Sequence, residues 1–242
     1  MIVGNMATFP KRIDVLEETV RALSGQLDKL NVVLNEFSEP PRFFKRYANV
    51  EPIVPDRDYK DVGKFLPDIS GAEFVVLVDD DIQYPPNYVS VLREQYERLK
   101  KRMPRAFVLG VHGTTYADIF TGGQKARNVY VFWRALNEPK LVNQLGTGTC
   151  FLPASLQPPL TFMDASQRYV DVRFARYQFE HDVDLVCAQR EDGWMRDAPG
   201  ERETIFQDFT RVWPAHVTRE VQTFGGYGRL NLDAVTALRP FS

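Results

Sequence analysis

Phe74-Val75-Val76-Leu77-Val78-Asp79-Asp80-Asp81-Ile82-Gln83-Tyr84-Pro85-Pro86 is the stretch on which the fold turns. Five consecutive apolar residues are followed at once by three carboxylates. An unbroken run of this kind, rich in valine, reads as a strand buried on both faces. Such a strand needs a helix on either side, and the flanking sequence supplies candidates. After Pro85-Pro86, Val89, Leu92, Tyr96, Leu99 and Met103 step by three and four, as the apolar stripe of a helix does. Upstream, Ile2 to Ala7 is an apolar run ending at Thr8-Phe9-Pro10, and Pro10 suits the first position of a helix. Ile13, Leu16, Val20, Leu23 and Leu27 repeat the helical spacing, with Gly25 near the end. Leu30 to Leu34 (closed by Asn35), Val50 to Val54 and Ala106 to Val111 are further strand candidates. Strand and helix therefore alternate, which predicts an α/β fold with a mostly parallel central sheet flanked by helices.

The second half changes character. Val129–Trp133 and Leu141–Gln144 flank Asn137-Glu138-Pro139 and read as a small hairpin. Thr149–Leu152 and Val183–Ala188 read as strands, and Val170–Phe179 as a short helix. From Pro199 onward the chain is polar, with Gly225, Gly226 and Gly228. The expectation is one domain over residues 1–195 and an irregular C-terminal extension, residues 196–242, packed on it.

At 242 residues, 44% apolar and 12% aromatic, the chain can fill the core of one large domain. Thirty basic against 32 acidic residues leave a net charge of -2, which gives no reason to expect nucleic acid or an anionic membrane as partner. Cys150 and Cys187 sit in apolar runs and read as buried free thiols; a four-cysteine zinc site is excluded by count. No apolar stretch is long enough to span a membrane. The opening Met1–Thr8 runs straight into Pro10-Lys11-Arg12, without a basic leader or cleavage pattern, so a cytoplasmic location is expected.

Asp79 and Asp81 alternate in an extended segment and so share a face. Two like charges there favour a divalent cation, and hard oxygen ligands suit Mg²⁺ or Mn²⁺, which bind through one or two carboxylates plus substrate phosphates. The competing reading is an acidic turn capping the next helix, but Pro85 and Pro86 stand between. The carboxyl ends of strands are also where open α/β sheets bind ligands.

The run Val78-Asp79-Asp80-Asp81-Ile82-Gln83-Tyr84-Pro85-Pro86-Asn87-Tyr88 resembles the metal-binding DXD segment of GT-A (Rossmann-like) glycosyltransferases. It is most similar to family-2-like enzymes of polysaccharide assembly, including bacterial capsule enzymes and a domain encoded by algal viruses. Met6–Arg12, Asp61-Val62-Gly63-Lys64-Phe65 and Gly146-Thr147-Gly148 carry the same likeness. It implies a metal-dependent transfer of sugar from a nucleotide-sugar donor, UDP by family habit, to a glycan hydroxyl acceptor, with inversion.

In that frame Thr8, Asn35, Asp61 and Lys64 would face the nucleotide. Thr8 could equally cap a helix, Asn35 could be a turn residue, and Lys64 could be solvated. Asp79 would face the ribose or metal shell, Asp81 would bind the metal, and Asp80 would be a partner ligand or sugar acceptor. Gly146, Thr147 and Gly148 would floor the donor sugar. Asp171 is the implied general base, with Val170 in place of the family's usual preceding acid and Asp164 in reserve. His216 would be a third metal ligand, and His112 would lie near the pocket. Trp194 is either an acceptor-side aromatic or a core one. Two rivals remain. One is a nucleotidyltransferase, against which the glycine-free loop Ala7-Thr8-Phe9-Pro10-Lys11-Arg12 counts. The other is a non-catalytic nucleotide-sugar-binding module.

Overall fold

A computed structural model describes residues 1–122, 124–199 and 213–238. In chain order the first half contains β1 (Ile2–Thr8), α1 (Ile13–Ser24), β2 (Lys29–Leu34), β3 (Val50–Ile53), β4 (Phe74–Val78), β5 (Ile82–Gln83), α2 (Tyr88–Lys100) and β6 (Phe107–Gly110). The second half adds β7 (Gly113–Tyr116), β8 (Arg127–Tyr130), β9 (Lys140–Val142), β10 (Gln144–Leu145) and β11 (Thr149–Pro153). It continues with α3 (Leu160–Met163), α4 (Val170–Glu180), β12 (Asp184–Cys187) and β13 (Arg196–Asp197).

The main sheet has eight strands in the order β3-β2-β1-β4-β11-β6-β12-β9. The β3, β2, β1 and β4 neighbours pair in parallel, β11 runs antiparallel between β4 and β6, and β12 is parallel to β6. The protein is thus α/β with a mostly parallel central sheet flanked by helices, the architecture expected above. Strand β4 shows why its sequence is apolar throughout. Phe74, Val76 and Val78 enter the core shared with α1 and α2, while Val75 and Leu77 enter the core on the other face, with Phe174 and Ala175 of α4.

Two expectations need correction. Residues 129–133 and 141–144 do not form a hairpin with each other. β8 pairs antiparallel with β7, β10 pairs with the other edge of β7, and β9 joins the main sheet as the partner of β12. A small hairpin is present, but its first strand is the polar Gly113-Thr114-Thr115-Tyr116. The C-terminal extension is also not irregular where it is described. Ala215–Phe224 and Leu232–Leu238 are helices, and the first buries Val217, Val221 and Phe224 against α4 and β7. No helix among the described residues is long and apolar enough to cross a membrane.

Candidate active site

The sheet register assembles the site. Met6 lies opposite Val78 in the parallel β1–β4 pair, so two residues further on Thr8 meets Asp80. Thr8 Oγ1 donates to Asp80 Oδ2 at 2.6 Å, and Thr19 Oγ1 donates to the Asp80 carbonyl at 3.1 Å. In the antiparallel pair Thr149 faces Val78, which sets Gly148 beside Asp79. A Cβ on Gly148 would stand 2.0 Å from Asp79 Oδ2, so only glycine admits this aspartate. Tyr84 locks the same corner: its buried hydroxyl accepts from the Asp79 N–H at 2.8 Å and donates to the Gly148 carbonyl at 2.7 Å.

The three aspartates diverge as alternation demands. Asp80 is buried, at 6% exposure, and turns inward to Thr8. Burial raises its pKa to about 7, and the Thr8 hydrogen bond opposes the rise. Asp79 and Asp81 open on a cleft of about 1540 Å³. Each already faces a cation: Asp79 pairs with Lys64, and Asp81 Oδ2 lies 3.1 Å from the Arg12 guanidinium. Lys64 is itself buried, at 1% exposure. Burial alone would lower its pKa, but the Asp79 charge and hydrogen bond outweigh that and raise it. The solvated reading of Lys64 is therefore incorrect.

Asp171, at the start of α4, lines the same cleft. Its Oδ1 accepts from the Thr147 backbone N–H at 2.8 Å and from Thr147 Oγ1 at 2.7 Å. Burial raises the pKa of Asp171, against the pull of these two donors. Lys64 Nζ lies 3.4 Å from the same Thr147 hydroxyl, so Asp79, Lys64, Thr147 and Asp171 form one polar chain. Asp61 accepts from the Arg168 backbone N–H with both oxygens, at 2.9 and 3.0 Å. Burial lifts its pKa to about 6.

The residues proposed for the nucleotide end (Thr8, Asn35, Asp61 and Lys64) all line this cleft, as do Gly146, Thr147 and Gly148. Thr8 makes no helix cap; its hydroxyl is spent on Asp80. The Asn35 side chain holds the neighbouring turn, donating to the Lys60 carbonyl at 3.0 Å and accepting from the Tyr59 N–H at 2.9 Å.

Three expected residues stand elsewhere. His216 is exposed, its ring 5.2 Å from that of Tyr169, and it does not line the cleft. Among the described residues no three His, Cys, Asp or Glu side chains gather as a metal site. His216 as a third ligand is therefore corrected: spacing along a chain says nothing of where a separate helix turns its histidine. Asp164 pairs with Arg57 at 2.6 Å, outside the cleft. Trp194 also lies outside it, packed against Tyr88, with its indole N–H on Asn87 Oδ1 at 3.2 Å. His112 does line the cleft, held neutral by burial first and then by the charges of Arg190 and Arg127, with a pKa of about 4.

The cleft also contains residues the sequence did not flag: Arg127, Phe132, Trp133 and Trp213. The alternation of Arg127, Val129 and Val131 was a usable signal, since all three point into the cleft.

No family model matches the chain, and no curated protein matches it. Among solved structures it is similar to glucosyl-3-phosphoglycerate synthase from Mycobacterium tuberculosis, solved with Mn²⁺, UDP-glucose and phosphoglyceric acid. The identity is 13%, over 46% of this chain and 43% of that one, with a TM-score of 0.35. The chain thus spans less than half the length of that enzyme. It is also similar to a nucleotidyl transferase from Methanothermobacter, at 14% identity over 78% of this chain and 86% of that one, TM-score 0.48. A mycobacterial protein matches at 16% identity over 46% and 40%, TM-score 0.34. At these identities and scores the likeness says nothing of chemistry. The expected likeness to capsule enzymes and to an algal-virus domain has no counterpart among these matches.

Proposed function

We propose that this chain is a metal-dependent glycosyltransferase of the GT-A class, transferring a sugar from a nucleotide-sugar donor, UDP-linked, to a glycan hydroxyl with inversion. The observation that carries the reading is one cleft lined both by the Asp79 and Asp81 carboxylates and by the Thr147-held Asp171. Asp79 and Asp81 fit Mg²⁺ or Mn²⁺ as a two-carboxylate site of hard oxygens that substrate phosphates would complete. When bound there, the ion would supply charge neutralisation for a departing diphosphate.

The protein's own residues do the rest. Asp80, turned inward onto Thr8, anchors the loop that presents its two neighbours. Lys64 and Arg12 lie beside the two outward carboxylates and add positive charge where a diphosphate would sit. Thr8, Asn35 and Asp61 shape the nucleotide end, and Gly146, Thr147 and Gly148 the floor beneath the sugar. Thr147 occupies Oδ1 of Asp171, which leaves Oδ2 to take the proton of the attacking hydroxyl. Burial raises the pKa of Asp171, the direction that strengthens a carboxylate as a base.

The test is release of nucleoside diphosphate from UDP-glucose, UDP-galactose, UDP-N-acetylglucosamine and GDP-mannose, with Mn²⁺ and with a chelator. Metal-dependent release that is lost in Asp81→Ala and Asp171→Asn is the expected result. Unchanged release in both variants would sink the assignment. Pyrophosphate formed from a nucleoside triphosphate and a sugar phosphate would instead identify a nucleotidyltransferase, and donor binding without turnover a binding module.

A further inference from the structure

One wall of the cleft is the three-stranded sheet. Gln144 of β10, Thr114 of β7 and Val129 of β8 are register partners, and all three face the cleft. On the same strand as Val129, Arg127 also lines it, and its guanidinium lies over the Trp213 ring, 5.2 Å from the centroid. Arg12 and Lys64 are each committed to an aspartate, but among the described residues no carboxylate pairs with Arg127. Trp213 lines the cleft too, and its indole Nε1 is buried without a hydrogen-bond partner. This part of the cleft therefore holds a cation over an aromatic ring whose own N–H donor has no partner. A guanidinium over a ring still has its paired N–H groups to offer planar or tetrahedral oxyanions. Asp171 lies beside the same sheet: it accepts from Thr147, two residues beyond the end of β10.

We infer that the acceptor carries an anionic group, a carboxylate or a phosphate monoester, which binds Arg127 beside Trp213 while its hydroxyl lies at Asp171. The inference rests on the glycosyltransferase reading for the word acceptor; the anion site itself does not.

Binding is read on the full chain by tryptophan fluorescence, since Trp133 and Trp213 both line the cleft. UDP is titrated first, on its own. Glucose, glucuronate and glucose 6-phosphate are then titrated with UDP saturating, so that a phosphate cannot report the diphosphate position. The expected result is at least one anionic sugar binding tenfold or more tighter than glucose, with the stronger of the two naming the source of the charge. Arg127→Gln should abolish that preference while leaving UDP affinity and the circular dichroism spectrum unchanged, and Arg127→Lys should keep part of it. Equal binding of neutral and anionic sugars, no binding of either, or a preference that survives in Arg127→Gln overturns the inference. Failure of UDP alone to bind counts against the nucleotide-sugar reading instead, and the anion preference is then read without it.

Discussion

The Thr147 hydroxyl and the Thr147 backbone N–H both donate to a single oxygen of Asp171, at 2.7 and 2.8 Å. The hydroxyl is also approached by Lys64, which pairs with Asp79. Residues from the turn at 60–65, the loop at 146–148 and the first turn of α4 are thereby joined into one network. A change at its middle member is expected to be felt at both ends.

Thr147→Val removes the hydroxyl donor and keeps the N–H. Both donations stabilise the charged form of Asp171 and hold its pKa down against burial. With one lost, the carboxylate is protonated at higher pH, so the acidic limb of kcat/KM moves upward. The plateau kcat falls about tenfold, less than the roughly 10²- to 10⁴-fold expected of Asp171→Asn. An unmoved limb in a pH profile of the variant would show that Thr147 does not act through Asp171.

Gly148→Ala tests the close approach of β11 to the triple aspartate. The added methyl would overlap Asp79 out to its Cβ, at 3.0 Å, so rotating the carboxylate alone does not relieve it. Asp79 and its partner Lys64 must both shift. We expect loss of donor-dependent turnover of about 100-fold or more with a modest drop in melting temperature, since geometry errors near 1 Å cost that much in rate. Near-normal turnover would mean that the Asp79 side chain is not held where catalysis needs it.

How far the site was legible follows from which residues owe their place to local pattern. The strand 74–78, the helices after Pro10 and after Pro85-Pro86, and the shared face of Asp79 and Asp81 all follow from periods of two and 3.6 along one segment; Asp80, expected as a ligand partner or sugar acceptor, instead turns inward to Thr8. The hairpin was misread because Asn137-Glu138-Pro139 advertises a local turn. Yet β9 finds β12, more than 40 residues away, and β8 finds a strand too polar to stand out. Long-range pairing is decided by which faces need cover, and a single segment does not record that. Arg127 had its alternation with Val129 and Val131 to mark it, but its meeting with Trp213 did not show for the same reason: the two come from opposite sides of the segment 128–212 and meet only in the fold.

Asp61 predicts a pH dependence of stability. Burial, partly offset by the Arg168 N–H, raises its pKa from 3.8 to about 6. Between those values the folded chain holds more protons than the unfolded one, so this group's contribution is full below about pH 4 and is lost as the pH rises through about 6. The separation sets an upper bound on the order of 3 kcal/mol, reduced because the carboxylate is partly open to the cleft. Asp61→Asn keeps an acceptor for Arg168 and has no charge to bury. Relative to the native chain it should gain stability between pH 4 and pH 7, measured by urea unfolding in the presence of chelator. A difference that stays flat across that range would refute the assignment.

The C-terminal segment is expected to be part of the fold rather than an appendage. Val217, Val221 and Phe224 are fully or almost fully buried, in the same core as Phe174 of α4. Arg173 of α4 pairs with Glu220 through two guanidinium nitrogens, and the Asn143 side chain donates to the Gly226 carbonyl at 2.9 Å. Burying three such apolar side chains contributes about 1.5–3 kcal/mol each, roughly 5–9 kcal/mol together, comparable with the whole stability of an ordinary domain. It also leaves α4, and with it Asp171, without cover on one side. A chain ending at residue 212 should therefore lose its cooperative thermal transition by circular dichroism. Arg173→Met in the full chain, which strands Glu220 in a largely buried site, should cost on the order of 3 kcal/mol in urea unfolding while still folding. A truncated chain that melts cooperatively at the native temperature would show instead that residues 213–238 merely rest on a core complete without them.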